Sequence, residues 1–263
     1  MLTPPFFDRI MPDWGAFRSK FEGGRACSAI GDNGPMHAPI IGLTANLRRD
    51  DKGRLRHEVK ETYVSAVVRA GGVPMIIPAI ASVRGELLAH CDGVVITGGD
   101  DIDTRPWGIP LHEKAEIMLT ERQEAEMVLL DALASRPEVA VLGVCLGMQL
   151  MGVHAGCPLI QHLHDHWPDG DRHRFDNTHH VKSDLGSGHV ASWHHQALES
   201  HGPFAAIGHS DDGILEAIRH PERHFYVGVQ WHPERTADAT MGDAIFTRFI
   251  EAARATRPSA LRS

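Results

Sequence analysis

Cysteine is scarce: Cys27, Cys91, Cys145 and Cys157 are the four among 263 residues. They show none of the paired spacings that mark a disulfide framework. Aromatic residues make up only 6%, and the 26 Lys and Arg residues are scattered among 34 Asp and Glu. A formal net charge of -8 without a basic cluster excludes the phosphate-neutralising face that nucleic-acid binding requires. The first residues lack a basic stretch followed by an apolar run and a small-residue cleavage site. Together these absences predict a cytoplasmic protein with no nucleic-acid partner. One uncharged stretch, Val139 to Ile160, is about long enough to cross a bilayer. It carries four glycines together with Gln149, His154 and Pro158, and there is no second span to re-satisfy its backbone. No membrane partner is expected.

Hydrophobic residues reach 42%, enough for the core of one large domain. Residues 1–38 are rich in Pro, Gly and aromatics without a sustained period, which predicts an N-terminal extension; 256–263 would be a tail. Between them, Pro39–Thr44, Val73–Ile77, Gly93–Thr97 and Val139–Val144 are apolar runs of strand length. They alternate with helical patterns over Glu58–Ala70, Ser82–His90 (with a serine cap) and Thr120–Ala134. Further strands are expected at His179–Val181, Phe204–His209, Ile214–Arg219 and Phe225–Trp231, with a helix over Ala239–Ala255. This order predicts an α/β fold, a mainly parallel central sheet covered by helices on both faces, with antiparallel additions. Ligands of such sheets bind beyond the carboxyl ends of strands.

Three segments carry chemistry. In Gly143-Val144-Cys145-Leu146-Gly147 a cysteine stands between a buried strand and a helix, with glycine two positions to either side. An isolated cysteine is usually a core residue; the flanking glycines instead mark a tight nucleophile elbow. The thiol would project at a helix N-terminus, whose dipole favours negative charge, with the Leu146 N–H aimed at the same point. Gln230-Trp231-His232-Pro233-Glu234 ends a strand, so alternation would put His232 and Glu234 on one face. Glu234 could then orient His232 as the base for Cys145. Thr97-Gly98-Gly99-Asp100-Asp101 follows a core strand, and its glycines allow close backbone approach to an oxyanion. Gly99 is the expected second donor, ahead of Gly98.

These segments, in this order, resemble the class I glutamine amidotransferase-like superfamily. Over residues 39–255 the chain looks like its γ-glutamyl-γ-aminobutyrate hydrolase family, which is peptidase C26-like. Supporting motifs are the Arg122–Glu126 helix segment, Met148-Gln149-Leu150 and Ser192-Trp193-His194-His195-Gln196. The resemblance implies a flavodoxin-like three-layer sandwich, no cofactor, and hydrolysis of a small-molecule γ-glutamyl amide such as those of polyamine breakdown. It also implies that Gln149, Ser192, His194 and His195 meet the α-amino and α-carboxyl ends of the substrate, with Asp101 supporting the glycine loop. Family members often carry Arg directly after the nucleophile, where Leu146 stands here, as in many true amidotransferases. A glutaminase subunit delivering ammonia to a partner synthetase is therefore an alternative, and a non-catalytic γ-glutamyl sensor is another. The oligomeric state is open, a homodimer being compatible.

Ten of the 19 histidines lie between His154 and His195. Zinc sites usually pair such residues with Cys or carboxylate at short, recognisable spacing, and no Cys-x-x-Cys or His-Glu-x-x-His is found. The expectation is a polar, histidine-rich surface and no metal.

Overall fold

In a computed structural model, which describes residues 38–167 and 169–255, the apolar runs become the middle of one sheet. The first half runs β1 (Ile40–Thr44), β2 (Asn46–Arg49), β3 (Leu55–Glu58), α1 (Glu61–Arg69), β4 (Val73–Ile77), α2 (Arg84–Leu88), β5 (Gly93–Ile96), α3 (Thr120–Ala134), β6 (Ala140–Val144) and α4 (Leu146–His154). The second half is strand-rich: β7 (Leu159–Ile160), β8 (Asn177–Ser183), β9 (Gly186–Ser192), β10 (Ala197–Leu198), β11 (Ala205–Ser210), β12 (Leu215–Arg219) and β13 (Tyr226–Val229), before α5 (Asp243–Ala255). Nine strands form the main sheet in the order β4-β1-β5-β6-β13-β12-β11-β8-β9. The first five are mutually parallel and the rest join antiparallel.

Side-chain alternation sorts the sheet into two faces. Leu43, Val95 and Leu142 pack with Tyr63 and Val67 of α1 and Phe246 and Phe249 of α5. Their neighbours Val94, Ile96 and Val141 pack with Leu129 and Leu133 of α3 and Met148 and Met151 of α4. The result is the three-layer, flavodoxin-like sandwich expected. Val139–Ile160 resolves into β6, α4 and β7, and among the described residues no helix is long and apolar enough to cross a membrane.

Several boundaries differ from the pattern-based expectation. Glu58 belongs to β3, paired with Asn46, so α1 starts at Glu61. Ser82 does not cap α2; it sits in a 3₁₀ turn, Ala81–Val83, and the helix begins at Arg84, whose buried guanidinium is drawn to Glu126. Residues 238–242 form a turn held by the Asp238 carboxylate on the Thr240 N–H, so α5 starts at Asp243. The β2–β3 hairpin and β9 were not expected, because one is charged and the other glycine-rich. The anticipated tail and all but the last residue of the anticipated N-terminal extension lie outside the described residues.

Candidate active site

Parallel strands β5, β6 and β13 lie side by side, so the segments that follow them emerge at one edge of the sheet. After β6 the chain turns sharply: Cys145 adopts φ 52° and ψ -106°, a strained conformation for a residue with a side chain. Its N–H donates to the Val229 carbonyl at 2.8 Å, pinning the elbow to β13. Both flanking glycines are sterically required. A Cβ on Gly147 would lie 2.1 Å from the Ile96 carbonyl oxygen, and one on Gly143 would lie 2.3 Å from Met151 Sδ.

The thiol is buried, 5% exposed, and sits 3.7 Å from the Trp193 carbonyl oxygen. Gln230 Nε2 donates to the sulfur at 3.6 Å. His232 arrives from beyond β13 and converges on the same point. A Cβ on Gly98 would lie 3.1 Å from His232 Cε1 and 3.7 Å from Cys145 Cβ. His232 Nδ1 and Glu234 Oε1 are 2.8 Å apart. Strand alternation is not what joins this pair, since β13 ends at Val229. A turn brings the two side chains together, held by Thr236 Oγ1 donating to the His232 carbonyl at 2.8 Å.

Burial disfavours charge on His232, yet the Glu234 carboxylate and then the Cys145 sulfur outweigh it and lift the imidazole to about 9. For Glu234, burial acts upward, but His232 dominates and holds the carboxyl below its usual range. The set can store a proton on the ring beside the sulfur and return it.

Of the three expected oxyanion donors, two have free N–H groups. Neither Gly99 N–H nor Leu146 N–H, the first of α4, has an acceptor among the described residues. Gly98 N–H is committed to Tyr63 Oη at 3.0 Å. Beneath this loop lies Arg122, fully buried, donating to the carbonyls of Thr97 at 3.3 Å and Gly98 at 3.1 Å. With both carbonyls held inward, the Gly99 N–H is left for the cavity. Arg122 and Arg84 share the buried carboxylate of Glu126, at 3.6 and 3.4 Å.

Two cavities meet at Cys145. The larger, about 540 Å³, is walled by Tyr63, Trp193 and His232 and reaches Arg48, Lys60 and Arg235. The smaller, about 90 Å³, is bounded by Gly99, Asp101, Gln149, Arg174, His195 and Glu116. Asp101 accepts from the Glu116 N–H at 2.8 Å and bonds His195 Nε2 at 2.8 Å, tying the glycine loop to residues 192–196. Gln149 reaches the recess while Nε2 donates to the Gln196 carbonyl at 3.0 Å. Ser192 is not brought to either cavity; its hydroxyl is buried on the His173 carbonyl at 2.9 Å. His194 lies at the recess wall but faces inward, with Nδ1 2.9 Å from the Gln196 carbonyl oxygen. Tyr63 and Gln230 carried no sequence signal: one is a helix aromatic, the other an ordinary amide beyond a strand end. Arg122 stood in a supporting motif without a role.

Fold and site together define an α/β enzyme of the glutamine amidotransferase type. The Peptidase C26 pattern matches residues 39–234, and the chain belongs to that family. It is a hydrolase acting on amide bonds. The chain is 31% identical over 221 residues to a Mycobacterium tuberculosis protein provisionally named a glutamine amidotransferase, covering 76% of this chain and 71% of that protein. It is 25% identical over 256 residues to the γ-glutamyl-γ-aminobutyrate hydrolase of Escherichia coli K12, covering 82% and 94%. The glutaminase domain of Trypanosoma brucei CTPS, solved with bound acivicin, shares the fold, with TM-score 0.55 and 14% identity over 82% of this chain and 94% of that one.

Proposed function

We propose that this enzyme hydrolyses the γ-glutamyl amide bond of a small γ-glutamyl amine through a thioester on Cys145. The supporting observation is the position of the Cys145 sulfur where a small recess and a larger cavity meet. The recess suits a glutamyl group, with Arg174 available to its α-carboxylate and Glu116 to its α-ammonium. The larger cavity is left for the amine.

The Cys145 sulfur attacks the γ-carbonyl carbon, and charge develops on an oxygen facing the N–H groups of Gly99 and Leu146. His232 gives its proton to the departing nitrogen as the C–N bond breaks. Water, deprotonated by the same ring, then attacks the thioester and releases glutamate and the thiol. Glu234 keeps the imidazole oriented and stabilises its charge.

The amine side carries a polarity of its own. Arg48 is paired with Glu58 and Asp100, and Arg235 with Asp176, whereas Lys60 has no ion-pair partner among the described residues. That free ammonium favours a leaving amine with a carboxylate, as in γ-glutamyl-γ-aminobutyrate. The enzyme acts free-standing in the cytoplasm, without nucleic-acid or membrane partners.

A panel of γ-glutamyl amines assayed beside glutamine, with glutamate release as readout, tests the proposal. Carboxylate-bearing amines should lead, and Cys145→Ala should abolish release. Turnover by the alanine variant contradicts the mechanism, and glutamine hydrolysis appearing only with an added synthetase contradicts the substrate.

A further inference from the structure

Away from the Cys145 cavities, three histidines from separate segments surround one buried carboxylate. His173 ends a 3₁₀ turn, Gly170–His173; His179 lies on β8; His194 follows β9; Glu216 lies on β12. None is more than 4% exposed. His179 Nε2, His173 Nδ1 and His194 Nε2 lie 2.9, 3.3 and 3.6 Å from the same Glu216 oxygen, Oε1.

Hydrogen-bond direction makes this cluster incomplete. His173 Nε2 is 3.0 Å from the Asp212 carboxylate, and His194 Nδ1 is 2.9 Å from the Gln196 carbonyl oxygen. Both outer partners are acceptors, so both outer nitrogens carry the proton. An inner nitrogen that carries no proton, His173 Nδ1 or His194 Nε2, turns a lone pair toward the Glu216 carboxylate. Neither inner nitrogen has a hydrogen-bond partner among the described residues, nor has Glu216 Oε2. Buried lone pairs aimed at a carboxylate repel one another unless a proton or a metal cation lies between them.

We propose that His173, His179 and Glu216, whose ligand atoms all lie within 4.8 Å of one another, form a divalent-cation site of the zinc type with its fourth position left to water. Tetrahedral zinc with bonds of about 2.0–2.1 Å sets its ligands about 3.3–3.4 Å apart, and His173 Nδ1 and His179 Nε2 lie 3.3 and 2.9 Å from Glu216 Oε1. Imidazole with one carboxylate is a donor set zinc accepts. An outer carboxylate, that of Asp212, orients the His173 ring, as such partners do in metal sites generally. Short-range spacing in the sequence could not disclose the set, because its members are brought together only by the antiparallel half of the sheet.

The site would brace the wall of the active site. The His173 carbonyl accepts from Ser192 Oγ at 2.9 Å and from the His194 N–H at 2.6 Å. Trp193, between them, presents its carbonyl to the Cys145 sulfur. A cation here fixes His173, and through its carbonyl residues 192–194, against β12 without touching substrate.

The test uses the full chain, stripped with chelator and titrated with Co²⁺, followed by visible absorption and by thermal melting. One equivalent should give the intense spectrum of four-coordinate cobalt and raise the melting temperature. His179→Ala should lose that spectrum. Asp212→Asn, which takes the charge from the outer partner of His173, should weaken binding about 10- to 100-fold while keeping the wild-type circular dichroism. Stripped wild type that shows no four-coordinate spectrum at stoichiometric cobalt overturns the proposal, and so does a spectrum unchanged in both variants.

Discussion

Replacing Glu234 with Gln isolates the electrostatic part of the catalytic relay. The amide keeps an oxygen within reach of His232 Nδ1, so the 2.8 Å contact can persist while the charge is removed. In the wild type the ring is lifted from 6.5 to about 9 although burial acts against it, and the Glu234 charge is the largest lifting influence. That displacement corresponds to roughly 3 kcal/mol of preference for the charged ring. Losing its main source should take away at least ~1.4 kcal/mol, which is about one pH unit. In the wild type, kcat/KM should fall on the alkaline side near pH 9, as His232 loses the proton destined for the amine. Glu234→Gln should draw that limb down by about one unit or more and lower the plateau ~100-fold. Initial rates of glutamate release across roughly pH 6 to 10 measure both. An alkaline limb that stays near 9 in the variant refutes the assignment of Glu234 as the source of the lift.

Stability follows the same ring. Because the folded pKa of His232 is raised, its contribution is complete below 6.5 and disappears as pH rises through about 9, so wild-type thermal midpoints should decline across that window and Glu234→Gln should flatten the decline. Gly147→Ala places a Cβ 2.1 Å from the Ile96 carbonyl oxygen, rigid backbone that cannot yield cheaply. A loss of about 3 kcal/mol, or roughly 10 °C in calorimetry, is expected. Tyr63→Phe strips the acceptor from the Gly98 N–H and should cost about 1–3 kcal/mol in urea unfolding. Lys60→Glu should raise KM for γ-glutamyl-γ-aminobutyrate more than for a γ-glutamyl diamine, which steady-state kinetics on the two substrates will show.

How much of this was legible in the sequence depends on the range over which each interaction acts. The elbow was legible because its cause is local: Gly143 and Gly147 are required within a few residues of Cys145, and the buried run of β6 precedes them. The parallel half of the sheet was legible for the same reason, since uncharged runs and helical periods are written residue by residue. The His232–Glu234 pair was identified for a reason the fold does not use. Spacing by two suggested a strand, whereas a turn held by Thr236 makes the contact. What escaped notice depends on distant segments. Tyr63 reaches Gly98 across 35 positions, Arg122 reaches Gly98 across 24, and Glu216 gathers histidines from three other segments. The histidine-rich stretch was expected to lie at the surface, but His173, His179 and His194 turn inward, because the strand pairing of β8, β11 and β12 leaves a buried carboxylate for them to face.

The mechanism turns on one covalent species, a γ-glutamyl group carried on the sulfur of Cys145. Acid-quenching the enzyme during turnover of γ-glutamyl-γ-aminobutyrate and weighing its peptides by mass spectrometry tests this directly. The adduct should appear on the peptide containing Cys145 and vanish on treatment with hydroxylamine. Steady glutamate release with that peptide never modified would contradict the account.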